Sequence, residues 1–211
     1  SVRPEVRRGE LTVVGRVDDA SLRPCVGLRH LLDAVRSHGS GNVLDLGDIS
    51  QASVDWFAAA GHRLFTESLL RSIERACREA EPHVDSFLAE NLRYPAEQFD
   101  AVLCWDLLEF LPPSFLEGVV GRLHEIAGPG ARLLAFFHSP PVGPSVRPSR
   151  YEIAGEDLLR RAPTSSPLTL ARALSKRDLD RLFHGRFGMN DILAPDGLHE
   201  VLLVKPHGEG A

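Results

Sequence analysis

The feature that most constrains this chain is an alternation. Between Leu22 and Phe137, apolar runs of strand length take turns with segments whose apolar residues recur at helical spacing. That pattern is the signature of a parallel sheet built through right-handed crossovers, and it predicts an α/β fold. Leu28, Leu31, Leu32 and Val35 share one face of an opening helix read over Leu22 to Ser37. Asn42 to Leu46 is a first strand ended by Gly47, and the helix that starts at Ser50 stops at Gly61. Arg63 to Thr66 is a second strand, Leu69 to Ala80 a helix closed by Pro82, and Asp85 to Leu88 a short third strand. Phe99 to Trp105 is apolar enough to be covered on both faces of a sheet. Pro112-Pro113 opens a helix with a buried stripe from Phe115 to Ile126, and Ala131 to Phe137 is a fifth strand.

At Ser139 the alternation stops. The prolines from Pro140 to Pro148 cannot join a regular ladder, because proline has no amide donor and a fixed φ. Residues 139–170 are therefore read as an irregular, proline-rich insertion that packs over the sheet edge as a substrate cap. Ser175-Lys-Arg-Asp178 resembles a capping box for a helix through Phe183. Phe187 to Leu193 and Leu198 to Lys205 form a closing antiparallel hairpin around Ala194-Pro-Asp-Gly197. The chain reads as a single domain, 1–211, with residues 1–21 an N-terminal extension.

Composition narrows the function. With 29 acidic against 24 basic side chains and a net charge of -5, the 211 residues carry no basic footprint for nucleic acid. No apolar stretch approaches the roughly 20 residues that span a bilayer. Ser1-Val-Arg-Pro4 has no signal-peptide core, so a cytoplasmic location is expected. Cys25, Cys77 and Cys104 lie far apart, with no pair or histidine cluster at metal-ligand spacing, and each reads as a small buried hydrophobe in a reducing compartment. The expectations are thus no membrane, no nucleic acid and no metal.

The chemistry-bearing segment is Val43-Leu-Asp-Leu-Gly47, followed by a helix, with Glu67 at the end of the next strand. Ligands of open parallel sheets bind beyond the carboxyl ends of the strands, where the winding reverses. Glu67 lies 20 residues after Gly47, and its carboxylate can accept both hydroxyls of a ribose. Asp45 is the polar member of its strand, placed to hold the loop or reach a ligand amine. A plain buried strand with Gly47 as its turn is the bland alternative. Glycine-rich phosphate loops and a Gly-x-Ser-x-Gly nucleophile elbow are both missing from the sequence, which argues against nucleotide phosphates, nicotinamide cofactors and serine hydrolysis.

From Leu22 to Phe137, and again in the closing hairpin, the sequence resembles the class I S-adenosylmethionine-dependent methyltransferases. The first strand and Gly47 are similar to that family's first motif, Glu67 to its ribose-binding acid, and Phe99 to Leu111 to its fourth strand and following loop. Ile126-Ala-Gly-Pro-Gly130 is similar to its next turn. The resemblance implies a Rossmann-like fold: a seven-stranded, mostly parallel sheet with an antiparallel final strand and helices on both faces. It also implies S-adenosylmethionine as cofactor, held by Asp45, Gly47, Asp48, Glu67, Asn91, Trp105 and Asp106. Asn91 would face the adenine and Trp105 would wall the pocket. One departure stands out: the first loop reads Gly47-Asp-Ile-Ser-Gln-Ala-Ser53, with one glycine where the family has several, so Ile49 and Gln51 bring side chains where it has none. Asp48 adds a negative charge there, for a cationic ligand or a helix cap.

Methyl transfer asks chiefly for alignment and, with a poor nucleophile, a base. His138, ending the fifth strand, and Asp106 are the candidate catalytic residues, imidazole being suited to proton transfer near neutral pH. Arg147, Arg150, Arg160 and Arg161, near Tyr151, could clamp an anionic acceptor or simply be solvated. The reading is a methyltransferase for a small-molecule substrate; the alternative is a catalytically inactive methyltransferase-like binding or scaffold protein. The closing hairpin or opening helix offers an edge for a homodimer.

Overall fold

The computed structural model describes residues 21–37, 39–79, 83–141, 146–170, 172–194 and 196–207. The elements in chain order are β1 (Ser21–Pro24), α1 (Val26–Ser37), β2 (Asn42–Asp45), α2 (Gln51–Ala59), β3 (Arg63–Thr66), α3 (Leu69–Ala76) and α4 (Val84–Asn91). There follow β4 (Phe99–Trp105), a single 3-10 turn (Leu107–Phe110), α5 (Pro113–Ile126), β5 (Ala127–His138), β6 (Ser149–Gly155) and β7 (Leu158–Pro163). The last are α6 (Lys176–Phe183), β8 (Gly188–Leu193) and β9 (Leu198–Val204).

The apolar runs do build one doubly wound sheet, in the order β3-β2-β4-β5-β9-β8. Strands β3, β2, β4 and β5 are parallel, and β9 runs antiparallel to both its neighbours. Helices cover both faces. Against one face pack Ile73, Phe115, Val119 and Phe183 from α3, α5 and α6; against the other pack Leu28, Leu31, Leu32 and Phe57 from α1 and α2. From β2 the chain crosses to β3 on one side, while β4 lies on the other. The winding therefore reverses between β2 and β4, and a crevice is expected at their carboxyl ends.

Three expectations are corrected. The main sheet has six strands, because the segment read as a third strand, Asp85 to Leu88, belongs to α4. Val84, Phe87, Leu88 and Asn91 recur at i, i+3, i+4 and i+7, and the three apolar members pack on the core. The insertion is not irregular throughout: residues 149–163 form a hairpin that joins β1 in a second sheet, ordered β1-β7-β6. Buried Tyr151, Ile153 and Leu159 alternate there with the more exposed Arg150, Glu152 and Arg160.

The opening helix starts only at Val26, since Ser21–Pro24 is a strand paired antiparallel with β7. Along it Leu22 is 60% exposed and Arg23 only 5%, the reverse of hydropathy. Arg23 is drawn in by Asp196 at 2.6 Å and Glu200 at 2.9 Å, with its guanidinium over the Phe136 ring. Glu200 in turn accepts from the Gly27 amide at the start of α1, a favourable place for an anion. The first strand of the second sheet is thus pinned to β9 by a buried ion network.

Elsewhere the agreement is closer. Ser175 and Asp178 form a reciprocal capping box on α6. The β8–β9 hairpin pairs Leu193 with His199 across a turn where Gly197 takes φ +81°. Cys25 and Cys104 are buried free thiols, but Cys77 is exposed. Among the described residues no helix is long and apolar enough to cross a membrane.

Candidate functional site

The carboxyl ends of β2, β3, β4 and β5 bring most of the proposed site residues to one edge of the sheet. Asp45 ends β2, Glu67 follows β3, Trp105 and Asp106 sit at the end of β4, and His138 ends β5. Backbone bonds tie the edge together: the Glu67 amide donates to the Asp45 carbonyl at 2.8 Å and the Leu46 amide to Leu103 at 3.0 Å.

Asp45 is buried, and its Oδ1 accepts from the Gly47 amide at 2.8 Å and the Trp105 Nε1 at 2.6 Å. Burial pushes its carboxyl up to about 6, against the pull of those two donors, with Asp48 adding to the rise. The same geometry explains Gly47: a Cβ there would stand 2.8 Å from the indole of Trp105. Trp105 takes φ +51°, a left-handed conformation costly for a large side chain. Its ring stacks on Tyr151 from β6, with centroids 5.2 Å apart and planes 10° from parallel.

Asp106 is fully buried. Its Oδ2 accepts from the Ser149 amide at 3.0 Å and the Tyr151 hydroxyl at 3.2 Å, and among the described residues its Oδ1 has no partner. Burial pushes this carboxyl also to about 6, opposed by those two donors and by nearby Arg161 and His138. The β6 strand therefore lies directly on the crevice. Between Gly47, Asp48, Trp105, Ser149 and Tyr151 about 10 Å³ of free space is left.

The side chains expected to crowd this loop do not. Ile49 is 70% exposed, and Gln51 donates to Asp55 along the outer side of α2. Trp105 and Tyr151 occupy the hollow instead. Asp48 accepts from the Ser68 hydroxyl and so straps the first loop to the turn after β3. Glu67 keeps a half-buried carboxylate, raised in pKa by burial and opposed by the Tyr94 hydroxyl, which donates to Oε2 at 3.4 Å.

Asn91 is set apart from this group. It closes α4 rather than following a strand, donates from its amide to the Phe87 carbonyl at 2.7 Å and accepts from the Ser72 hydroxyl. Both its polar atoms are engaged between α3 and α4. The arginines of the insertion are largely tied to it: Arg150 and Arg160 both face Glu152 at 3.6 Å, Arg161 donates to the Ser149 hydroxyl, and Arg147 to the Ser166 carbonyl.

One contact at this edge carries no mark in the sequence reading above. His138 Nδ1 lies 2.7 Å from Glu109 Oε2, and the His138 backbone amide donates to the same oxygen at 3.0 Å. Glu109 follows Asp106 by three residues, one turn of the 3-10 helix, so the motif quoted for the strand-four loop carried the signal in its spacing. A carboxylate that holds one imidazole nitrogen fixes the ring and its tautomer, leaving Nε2 to exchange a proton.

No family model matches this sequence, and no curated protein matches it. Solved structures do. The PH0226 protein from Pyrococcus horikoshii OT3 is 14% identical over 85% of this chain and 88% of its own, with a TM-score of 0.51. An S-adenosylmethionine-dependent methyltransferase from Mesorhizobium loti is 15% identical over 84% and 95%, with a TM-score of 0.49. The Burkholderia thailandensis 1,6-didemethyltoxoflavin-N1-methyltransferase, solved with 1,6-didemethyltoxoflavin and S-adenosylhomocysteine, is 20% identical over 86% and 79%, with a TM-score of 0.45. The Pyrococcus likeness shows a shared fold across most of the chain.

Proposed function

We propose that this chain, whose fold is that of the class I S-adenosylmethionine-dependent methyltransferases, binds S-adenosylmethionine and serves methyl transfer to a small-molecule acceptor. The observation that carries the reading is Glu67. It presents a half-buried carboxylate beside the winding reversal, next to the aromatic Tyr94, where a ribose diol would find two acceptor oxygens.

The residues fit the cofactor unevenly. Glu67 suits the sugar. The space beside Gly47 does not suit a methionyl tail while Trp105 and Tyr151 stand stacked in it, because about 10 Å³ holds no more than a water. Binding on this reading requires the β6–β7 hairpin to lift Tyr151 away from Trp105. S-adenosylmethionine, when bound, supplies an already activated methyl group. The chain itself contributes His138, whose ring Glu109 holds through Nδ1 and whose Nε2 is left to take a proton.

The same filled hollow favours a second reading, a methyltransferase-like binding protein without catalysis, in which the Trp105–Tyr151 stack is permanent core. Calorimetric titration with S-adenosylhomocysteine separates the two. The cofactor reading expects saturable heat, weakened by Glu67→Ala about 10- to 100-fold, the worth of one or two hydrogen bonds to a charged group. Absence of heat at millimolar ligand in the wild-type chain supports the binding-protein reading.

A further inference from the structure

A second hollow is far roomier than the crevice. A cavity of about 570 Å³ opens between the start of α5 and the segment leading into α6. That is the size of a site for a small organic ligand. Leu111, Leu116, Leu168 and Leu182 give it aliphatic walls, and Cys77, just past the end of α3, borders it. Walls of this kind favour a ligand with a hydrocarbon body.

The charges around the cavity select the head of that ligand. Five lining residues carry charge: Glu109, Glu117, Arg172, Asp178 and Arg181. Glu109 does not present its carboxylate, because its side chain is fully shielded and Oε2 is held by the ring and amide of His138. Asp178 is held by Arg172 at 3.2 Å and by the Ser175 amide and hydroxyl at 3.0 and 2.8 Å. Glu117 faces Arg186 at 3.7 Å. Arg181 is the charge left over. This exposed arginine of α6 has no hydrogen bond or ion pair among the described residues. A free guanidinium beside aliphatic walls suits a ligand carboxylate, which it can meet with two parallel N–H donors. A ligand ammonium would meet Arg181 with like charge, and the acids near it already have partners.

We infer that this cavity binds an apolar carboxylic acid in its ionised form, with the carboxylate on Arg181 and the hydrocarbon body among the leucines. That such an acid is the methyl acceptor rests on the function proposed above; that it occupies the cavity does not.

The test is calorimetric titration of the whole chain, without cofactor, by 4-phenylbutyrate and by the neutral 4-phenylbutanol. The acid is expected to bind about three- to tenfold more tightly, as suits an arginine–carboxylate contact that water still reaches. Arg181→Gln should remove that preference and leave the alcohol unchanged. Leu116→Trp, which fills the cavity at its wall, should weaken both about tenfold or more, with thermal melting confirming that each variant is folded. A second readout locates the ligand. Cys77 is exposed while Cys25 and Cys104 are buried, so alkylation by iodoacetamide reports on the cavity, and 4-phenylbutyrate should slow it. Equal affinity for the two probes, an undiminished preference in Arg181→Gln, alkylation of Cys77 at an unchanged rate, or no binding of either probe would overturn the inference. Because no S-adenosylhomocysteine is present, the acid site can fail while the cofactor site survives, and the reverse.

Discussion

Two hollows differ in the room they leave, about 10 Å³ in the crevice at the winding reversal and about 570 Å³ between α5 and the segment leading into α6. The crevice is nearly full: Asp45 and Asp106 each hold two donors, and aromatic rings take up the room between them. The cavity beside α5 is roomy, and Leu111, Leu116, Leu168 and Leu182 share its lining with Arg172, Asp178 and Arg181. In the first the rings leave little room for a ligand, although Asp106 Oδ1 has no partner among the described residues. In the second the room is already there. The contrast separates a site that must rearrange to work from one already shaped.

The largest expected effect is on the full side of that contrast. Trp105→Ala removes a buried ring, its stack on Tyr151 and its bond to Asp45. It should cost about 3–5 kcal/mol, the usual range for aromatic truncation in a core, measured by urea denaturation. A loss below about 1 kcal/mol would mean that the stack is a loose cover rather than core, and would favour a crevice that opens easily.

Next comes the pH dependence of the two crevice carboxyls. Both are raised by burial to about 6, so each binds its proton more tightly folded than unfolded. Their contribution to stability is fully present below the ordinary carboxyl range near 4 and is lost as pH rises through about 6, by up to about 3 kcal/mol per group. Asp106→Asn should flatten part of that decline, which denaturation at pH 4, 5, 6 and 7 would follow. A stability that climbs between pH 4 and 6 would contradict the assignment. The smallest effect is expected from Tyr151→Phe, which keeps the stacked ring and deletes the hydroxyl on Asp106, at about 1 kcal/mol.

What could be read from the sequence follows the same divide. The parallel strands β2 and β4, the α5 stripe, the α6 capping box and the closing hairpin were legible because each carries a local signal: a continuous apolar run, helical periodicity, a reciprocal cap, a turn glycine. Asp85 to Leu88 mislead because Asp-Ser-Phe-Leu is too short to reveal its period without Val84 and Asn91 at either end. Strand β1 was illegible for a different reason. Its inward residue is Arg23 and its outward one Leu22, an inversion set by Asp196 and Glu200 from across the fold. The period-two alternation of Tyr151, Glu152 and Ile153 was present, but the run of prolines before it argued for disorder of pattern. Of the candidate site residues, all but Asn91 come to one sheet edge, as their strand-end positions imply. That Trp105 and Tyr151 would fill the hollow was not, since their stacking joins residues whose strands lie in different sheets.

On the cofactor reading, the crevice receives an adenosyl group by parting Tyr151 from Trp105 and presenting Glu67 to the sugar. A crystal structure of the chain grown with S-adenosylhomocysteine tests it most directly. Ribose hydroxyls are expected within hydrogen-bond distance of the Glu67 carboxylate, with the Tyr151 ring displaced from Trp105. A map with the two rings still stacked and no nucleoside at Glu67 would contradict it.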